Sequence, residues 1–190
     1  MKTLLQSKTR QWILFVGVLL TVAVFVGPSL AQSDVIGTMT VTGGNLSMTA
    51  GDDPAFTGVT LDGTDQTPND TIDIDVKDLT GTGAGWNLQI TSTTFNGGSG
   101  HTLATTATTI TGVSSVCDTG TCTNPTNVIG YALTVPADTA PPLAATFFNA
   151  AVTTGMGDFT ITPTFELSVP AATYAGTYTS TMTLTLASAP

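Results

Sequence analysis

The end of the chain alternates apolar and threonine side chains with a period of two. Tyr178, Ser180, Met182, Leu184 and Leu186 fall on one side of an extended backbone, and the threonines between them fall on the other. Successive side chains of a β-strand point to opposite faces, so this pattern predicts a strand with one buried face. The chain is therefore constrained to a fold that contains a β-sheet.

A second alternation follows the glycine-rich turn at residues 81–85. Trp86, Leu88 and Ile90 face one way, and Asn87 and Gln89 face the other. This pattern is also typical of a half-buried strand. We expect the apolar sides of the two segments to share one interior.

The first 31 residues have the three parts of a secretory signal peptide. Lys2, Lys8 and Arg10 form a cationic start, residues 12–26 are apolar, and small residues precede Ala31. An uncleaved membrane anchor is the alternative, but the apolar run is shorter than the roughly 20 residues that a span needs. We predict cleavage after Ala31, which leaves one secreted domain over residues 32–190.

The charge of that domain excludes two classes of partner. Lys77 is its single cation, whereas all thirteen Asp and Glu of the chain lie beyond residue 31. Nucleic acid and anionic membrane both require a cationic face. We therefore expect neither as a partner once the signal is removed.

The domain is rich in threonine and glycine, which is typical of strands separated by turns. A polar, disordered threonine-rich stalk would not need the observed alternation with apolar residues.

Candidate strands recur at the intervals of a β-sandwich. They are Val35–Val41, Leu46–Met48, Phe56–Leu61, Thr71–Val76, Trp86–Thr91, Val128–Val135 and two runs separated by Pro163, at 159–161 and 165–169. Residues 137–151 are interpreted as a loop with one helical turn. The pattern predicts an all-β, Ig-like two-sheet β-sandwich, with a barrel as the alternative.

Cysteine and acidic residues offer two further candidate sites. Cys117 and Cys122 predict a disulfide at a hairpin tip, and a metal held by the two cysteines is the alternative. Asp73 and Asp75 are weak candidates for calcium ligands on an acidic face. No EF-hand spacing accompanies them, so we expect a solvated face without metal or other cofactor. The sole histidine, His101, lies in a glycine-rich loop without a nucleophile motif, so we expect no enzymatic activity.

Four segments of the chain carry a resemblance to a known family: Gly81–Leu88, Ala175–Leu186, Gly37–Gly44 and Val59–Gly63. In these segments the chain resembles the WxL domain family of Gram-positive surface proteins. The family usually carries two Trp-x-Leu motifs. The segment at residues 86–88 matches the first, and the second has Leu184 in place of tryptophan and keeps Leu186. The resemblance implies a secreted β-rich domain held non-covalently on the cell wall, with peptidoglycan or companion cell-surface proteins as partners.

The resemblance implies Trp86, Leu88, Leu184 and Leu186 as the candidate ligand-binding residues. Trp86 could stack on sugar rings, since carbohydrate faces pack on aromatic planes. The alternative is a core position, because Trp86 shares its face with Leu88 and Ile90, and the pattern favours that alternative. A second functional hypothesis is a structural subunit that self-associates into an extracellular fibre or surface layer, because an unpaired sheet edge is a template for another strand.

Overall fold

The computed structural model describes residues 36–190. The signal peptide and its cleavage point lie outside the described residues and stay a prediction. Residues 41–190 form a compact unit that holds every described strand. Nowhere in the described range is there a helix of the length and apolarity needed to cross a membrane.

The described part of the chain contains ten strands. They are β1 (Leu46–Ala50), β2 (Asn69–Thr71), β3 (Ile74–Asp78), β4 (Trp86–Thr93), β5 (Thr108–Thr123), β6 (Leu133–Thr134), β7 (Ala137–Asp138), β8 (Ala145–Ala150), β9 (Met156–Leu167) and β10 (Met182–Ser188). A six-stranded sheet has the order β1-β3-β9-β5-β6, with β2 also pairing with β9. A four-stranded sheet has the order β10-β4-β7, with β8 also pairing with β4. The core lies between the sheets, which confirms the all-β sandwich.

The two alternating segments pair with each other, as the sequence predicts. In the antiparallel register of β4 and β10, Leu88 lies opposite Leu186 and Ile90 lies opposite Leu184. Leu88 and Ile90 are fully buried, and Leu184 and Leu186 are half-buried against the same core. The difference in burial follows from position, because β4 has neighbours on both sides and β10 pairs with β4 alone. The terminal strand begins at Met182, four residues later than the alternation at Tyr178 indicates.

The inward and outward faces of the β2–β3 segment are also confirmed. Ile72, Ile74 and Val76 are buried. Asp75 and Lys77 lie on the outer face of the six-stranded sheet and pair there with each other.

Pro163 does not divide two strands, which corrects the sequence prediction. It lies fully buried inside β9. β2 ends opposite Thr164 and β3 begins opposite Ile161, so this neighbouring ladder is interrupted beside Pro163. Odd-numbered residues of β9 direct their backbone groups toward β2 and β3, so the N–H that proline lacks falls at the interruption.

Three predicted strands are wrong in whole or in part. No strand forms over residues 36–41, the described part of Val35–Val41, or over Phe56–Leu61, and Val128–Val135 is reduced to the two residues of β6. Alternation makes a segment able to pair, but a strand also needs a neighbour with free backbone groups. Within residues 36–190, neither of the first two segments joins a ladder.

The prediction of a loop with one helical turn over residues 137–151 is also wrong, because strands form there. Residues in this range form β7 and β8, and Phe147 and Phe148 are both buried. The register of β8 shifts between Leu88 and Gln89 of β4, so Phe147 is an extra residue in the ladder. Such a bulge breaks the period of two and conceals the strand from sequence reasoning.

The disulfide between Cys117 and Cys122 is confirmed, but its place is different from the prediction. Both cysteines lie in β5, which pairs with β9 through two irregularities in this region. The disulfide therefore spans a distortion of one long strand instead of the tip of a hairpin. Both cysteines pack against the main core.

Candidate functional site

Trp86 and Leu88 lie in the centre of the sandwich. Both side chains have no solvent exposure. The indole Nε1 of Trp86 donates a hydrogen bond to the backbone carbonyl of Gly155 at 2.9 Å. The ring is tilted against Phe148, with centroids 5.8 Å apart. This geometry satisfies the indole inside the protein and leaves no ring face free for a sugar.

The four motif residues come together on two adjacent strands, but they present little surface. Leu186 pairs with Leu88, and Leu184, which stands at the tryptophan position of the second motif, pairs with Ile90. Their apolar sides complete the core beneath the edge strand. A ligand-binding surface must therefore be sought elsewhere on the domain.

An open cleft of about 840 Å³ lies next to a second, smaller apolar cluster. One side of the cleft is residues 53–61, and the other is residues 173–182. Phe95 and Leu103 contribute to its floor, where Phe56 packs edge-on against Phe95 with ring centroids 6.0 Å apart. The segment 56–61 that was predicted to be a strand therefore forms a wall of the cleft.

Three aromatic residues form a platform at the mouth of this cleft, and we call Tyr174, His101 and Tyr178 the Tyr174 platform. The Tyr174 side chain is 65% exposed. His101 stacks on one of its faces, with centroids 3.8 Å apart and planes 15° from parallel. The hydroxyl of Tyr178 donates a hydrogen bond to the Tyr174 carbonyl at 3.0 Å. One face of Tyr174 is thus supported by His101, and the ring still reaches solvent.

The platform separates the cleft from a smaller cavity of about 370 Å³ on the His101 side. Asp53 is the only carboxylate that lines either cavity, and all lining residues lie in the described part of the chain. A surface of this kind suits a neutral ligand with flat apolar faces. Sequence reasoning did not find Tyr174, because it lies in a loop of small residues without periodicity. The only signal is an aromatic residue between Pro170 and Gly176.

The acidic face lies on the outside of the six-stranded sheet. Carboxylate oxygens of Asp75, Asp118 and Asp158 lie within 4.8 Å of one another. Lys77 Nζ lies 2.8 Å from Asp158 and 3.2 Å from Asp75. The hydrogen bond from Lys77 lowers the pKa of Asp158, and the bonds to Asp158 and Asp75 raise the pKa of Lys77.

The two weak calcium candidates are separated by this arrangement. Asp75 is one of the three clustered aspartates. Asp73 lies apart from them, is exposed, and accepts a hydrogen bond from the Thr162 hydroxyl at 2.7 Å. The ammonium group of Lys77 already supplies positive charge to Asp75 and Asp158. An ion pair on the sheet surface accounts for the closeness of Asp75 and Asp158. Asp118 accepts a hydrogen bond from the Thr160 hydroxyl.

We expect the Lys77→Gln variant to lose stability in a pH-dependent manner. A carboxyl whose pKa is lowered on folding stabilises the protein above its unfolded pKa, and this contribution is lost as the pH falls through the folded value. The loss in Lys77→Gln should therefore be larger at pH 7 than at pH 3, as measured by urea midpoints. Lys77→Arg keeps the charge and is the control. An equal loss at both pH values would contradict the ion-pair account.

Comparison with known proteins identifies the family of this chain. A family model described as the WxL domain, surface cell wall-binding, matches residues 36–190. No curated protein and no solved structure matches the chain. The match includes both motif strands and the loops that form the Tyr174 platform. The chain therefore belongs to the WxL domain family of surface cell wall-binding domains.

Proposed function

We propose that this domain is a non-enzymatic module that binds peptidoglycan non-covalently through the Tyr174 platform and the adjoining cleft. The observation that carries the proposal is the exposed Tyr174 ring, which His101 supports from behind at 3.8 Å. The family supplies wall binding as the general activity. The platform supplies a place on this chain where a glycan strand can be held.

The chemistry of the site fits a sugar polymer. The C–H face of a pyranose ring is apolar and packs on an aromatic plane, and its hydroxyl groups remain free for hydrogen bonds. Thr173, Ser180 and residues 57–60 line the same cleft and bring polar groups to it. A cleft open to solvent can accept a chain of sugars without enclosing its ends.

The buried motif has a different role in this proposal. Trp86 and Leu88 hold β4 in the core, and Leu184 and Leu186 hold the edge strand against it. They support the shape of the domain and do not contact the ligand. This explains why leucine can stand at position 184, because it replaces one core hydrophobe with another.

The test measures retention of the chain beginning at Gln32 on purified sacculi by co-sedimentation. All described strands lie within residues 46–188, so this chain contains the whole sandwich. We expect Tyr174→Ala to weaken retention about tenfold, which corresponds to about 1.4 kcal/mol. Tyr174→Phe keeps the ring and should retain binding. Leu143→Ala removes a 92% exposed side chain that lines neither cavity and is the matched control.

Two results would overturn the proposal. The first is full retention of Tyr174→Ala with an unchanged melting temperature. The second is binding that disappears when the sacculi are stripped of protein, because that would identify a companion surface protein as the partner. Retention on stripped sacculi that depends on the Tyr174 ring supports peptidoglycan as the ligand.

A further inference from the structure

The two walls of the cleft have few backbone hydrogen bonds of their own. The first wall, residues 53–61, forms no backbone–backbone hydrogen bond with any described residue. The second wall includes the Tyr174 loop, residues 170–178, whose one backbone–backbone bond joins Thr173 to Pro170 inside the loop. Chain segments without ladder bonds open at low cost in free energy, so other contacts must hold both walls in place.

Asp70 holds the first wall. Its Oδ2 atom accepts a hydrogen bond from the backbone N–H of Ala55 at 2.6 Å. The next residue, Phe56, packs against Phe95 on the floor of the cleft. A hydrogen bond to a carboxylate is stronger than one between neutral groups. Asp70 does not line the cleft, so it affects a ligand there only through the wall that it holds.

Asp65 holds the Tyr174 loop in the same way. Its Oδ1 atom accepts a hydrogen bond from the backbone N–H of Ala171 at 2.8 Å. In the described part of the chain, this is the only hydrogen bond between residues 170–178 and another segment. His101 supports the Tyr174 ring, and Asp65 supports the backbone that carries it. Asp65 lines neither cavity.

Both aspartates belong to one short segment, residues 65–70, which is fixed to the sandwich. Gln66 exchanges two backbone hydrogen bonds with Val169, at 2.9 and 2.8 Å. The Pro68 carbonyl accepts a third from the N–H of Leu167 at 2.9 Å, and β2 then pairs with β9. The two walls of the cleft are therefore tied to the same rigid part of the fold.

We propose that Asp65 and Asp70 are positioning residues that set the separation between the two walls of the cleft. For its effect on wall binding, this inference rests on the proposed function. Each carboxylate acts from outside the cleft and holds a binding element by its backbone. A binding site that is already ordered loses less conformational entropy when the ligand arrives, so the loss of either bond should weaken binding.

Hydrogen exchange of the chain from Gln32, followed by NMR without ligand, tests the two bonds directly. Asp65→Ala should raise the exchange rate of the Ala171 amide about fivefold, because the net contribution of one hydrogen bond corresponds to a factor of this size. Asp70→Ala should do the same for the Ala55 amide. Asp65→Asn and Asp70→Asn keep an acceptor oxygen, so both should restore the wild-type rates.

Retention on sacculi tests the consequence for binding. Asp65→Ala should weaken retention about fivefold, and Asp65→Asn should bind as wild type. Because Asp65 acts through the Tyr174 loop, the variant with both Asp65→Ala and Tyr174→Ala should lose much less than the two single losses combined. Asp138→Ala is the matched control, because its carboxylate accepts from the N–H of Thr139 at 2.6 Å and lines neither cavity.

Three results would overturn the inference. The first is a wild-type exchange rate at Ala171 and Ala55 in the alanine variants, or faster exchange throughout the ten strands, which would show a global loss of stability. The second is an asparagine variant that loses as much as the alanine variant. The third is full retention of Asp65→Ala under conditions in which Tyr174→Ala is weakened. If Tyr174→Ala itself keeps full retention, the proposed function fails alone, and the exchange rates decide the positioning role.

Discussion

Trp86→Ala should lower the free energy of unfolding by about 3–5 kcal/mol. The ring is fully buried against Phe148, and its removal leaves a large cavity between the two sheets. It also leaves the Gly155 carbonyl without its partner in an apolar region, which adds to the loss. Urea unfolding of the chain from Gln32, followed by circular dichroism, measures the effect.

Trp86→Phe is the graded control for this prediction. Phenylalanine keeps most of the apolar contact but cannot donate to Gly155, so we expect roughly half of the loss. In the chain from Gln32, Trp86 is the only tryptophan, because the other is Trp12. Its fluorescence should shift to longer wavelength as the wild-type domain unfolds. A Trp86→Ala variant as stable as wild type would show that the ring is not part of the core.

Gly155→Ala should destabilise the domain by roughly 2–5 kcal/mol. Gly155 has a φ of +73°, a conformation that costs an L-residue about 1–2 kcal/mol. A Cβ atom there would lie 2.7 Å from Nε1 of Trp86 and still closer to the Cβ of Ala150, so the core must shift to admit it. Overpacking of this kind costs about 1–3 kcal/mol more. Thermal or urea unfolding gives the total.

Gly81→Ala separates the two contributions. Gly81 has a nearly equal φ of +69°, but a Cβ atom there meets nothing within 4 Å. Its substitution should therefore show the backbone cost alone, about 1–2 kcal/mol. If the two alanine variants were equally stable, close packing at Gly155 would play no part.

The regular parts of the fold could be predicted because their burial is one-sided. Burial alternates along β3 and β10, so their period of two is present in the sequence. β4 keeps that period in its apolar residues, although Asn87 and Thr91 on its other face are buried as well. β8 and β9 could not be predicted correctly, because a bulge brings Phe147 and Phe148 into the core together and a ladder interruption accommodates Pro163. Such irregularities depend on the neighbouring strand, which local sequence does not specify.

The candidate site was less predictable than the fold. The sequence identifies Trp86 as a candidate because it lies in a periodic strand and in a family motif. The same periodicity favours a core position for its side chain. Tyr174 lies in a loop, and only the folded chain brings it to His101, 73 residues earlier in the sequence. Stacking between two loops leaves no periodic signal, so it requires the tertiary structure.

The place of Lys77 affects how the domain withstands digestion. It is the only lysine or arginine after residue 10, so a trypsin-like protease has a single point of attack between there and Pro190. That point lies in β3, which is hydrogen-bonded to β1 on one side and to β9 on the other. A protease must bind its substrate as a free extended segment, so cleavage requires β3 to leave the sheet. Survival in a protease-rich environment is thereby tied to the cohesion of the six-stranded sheet.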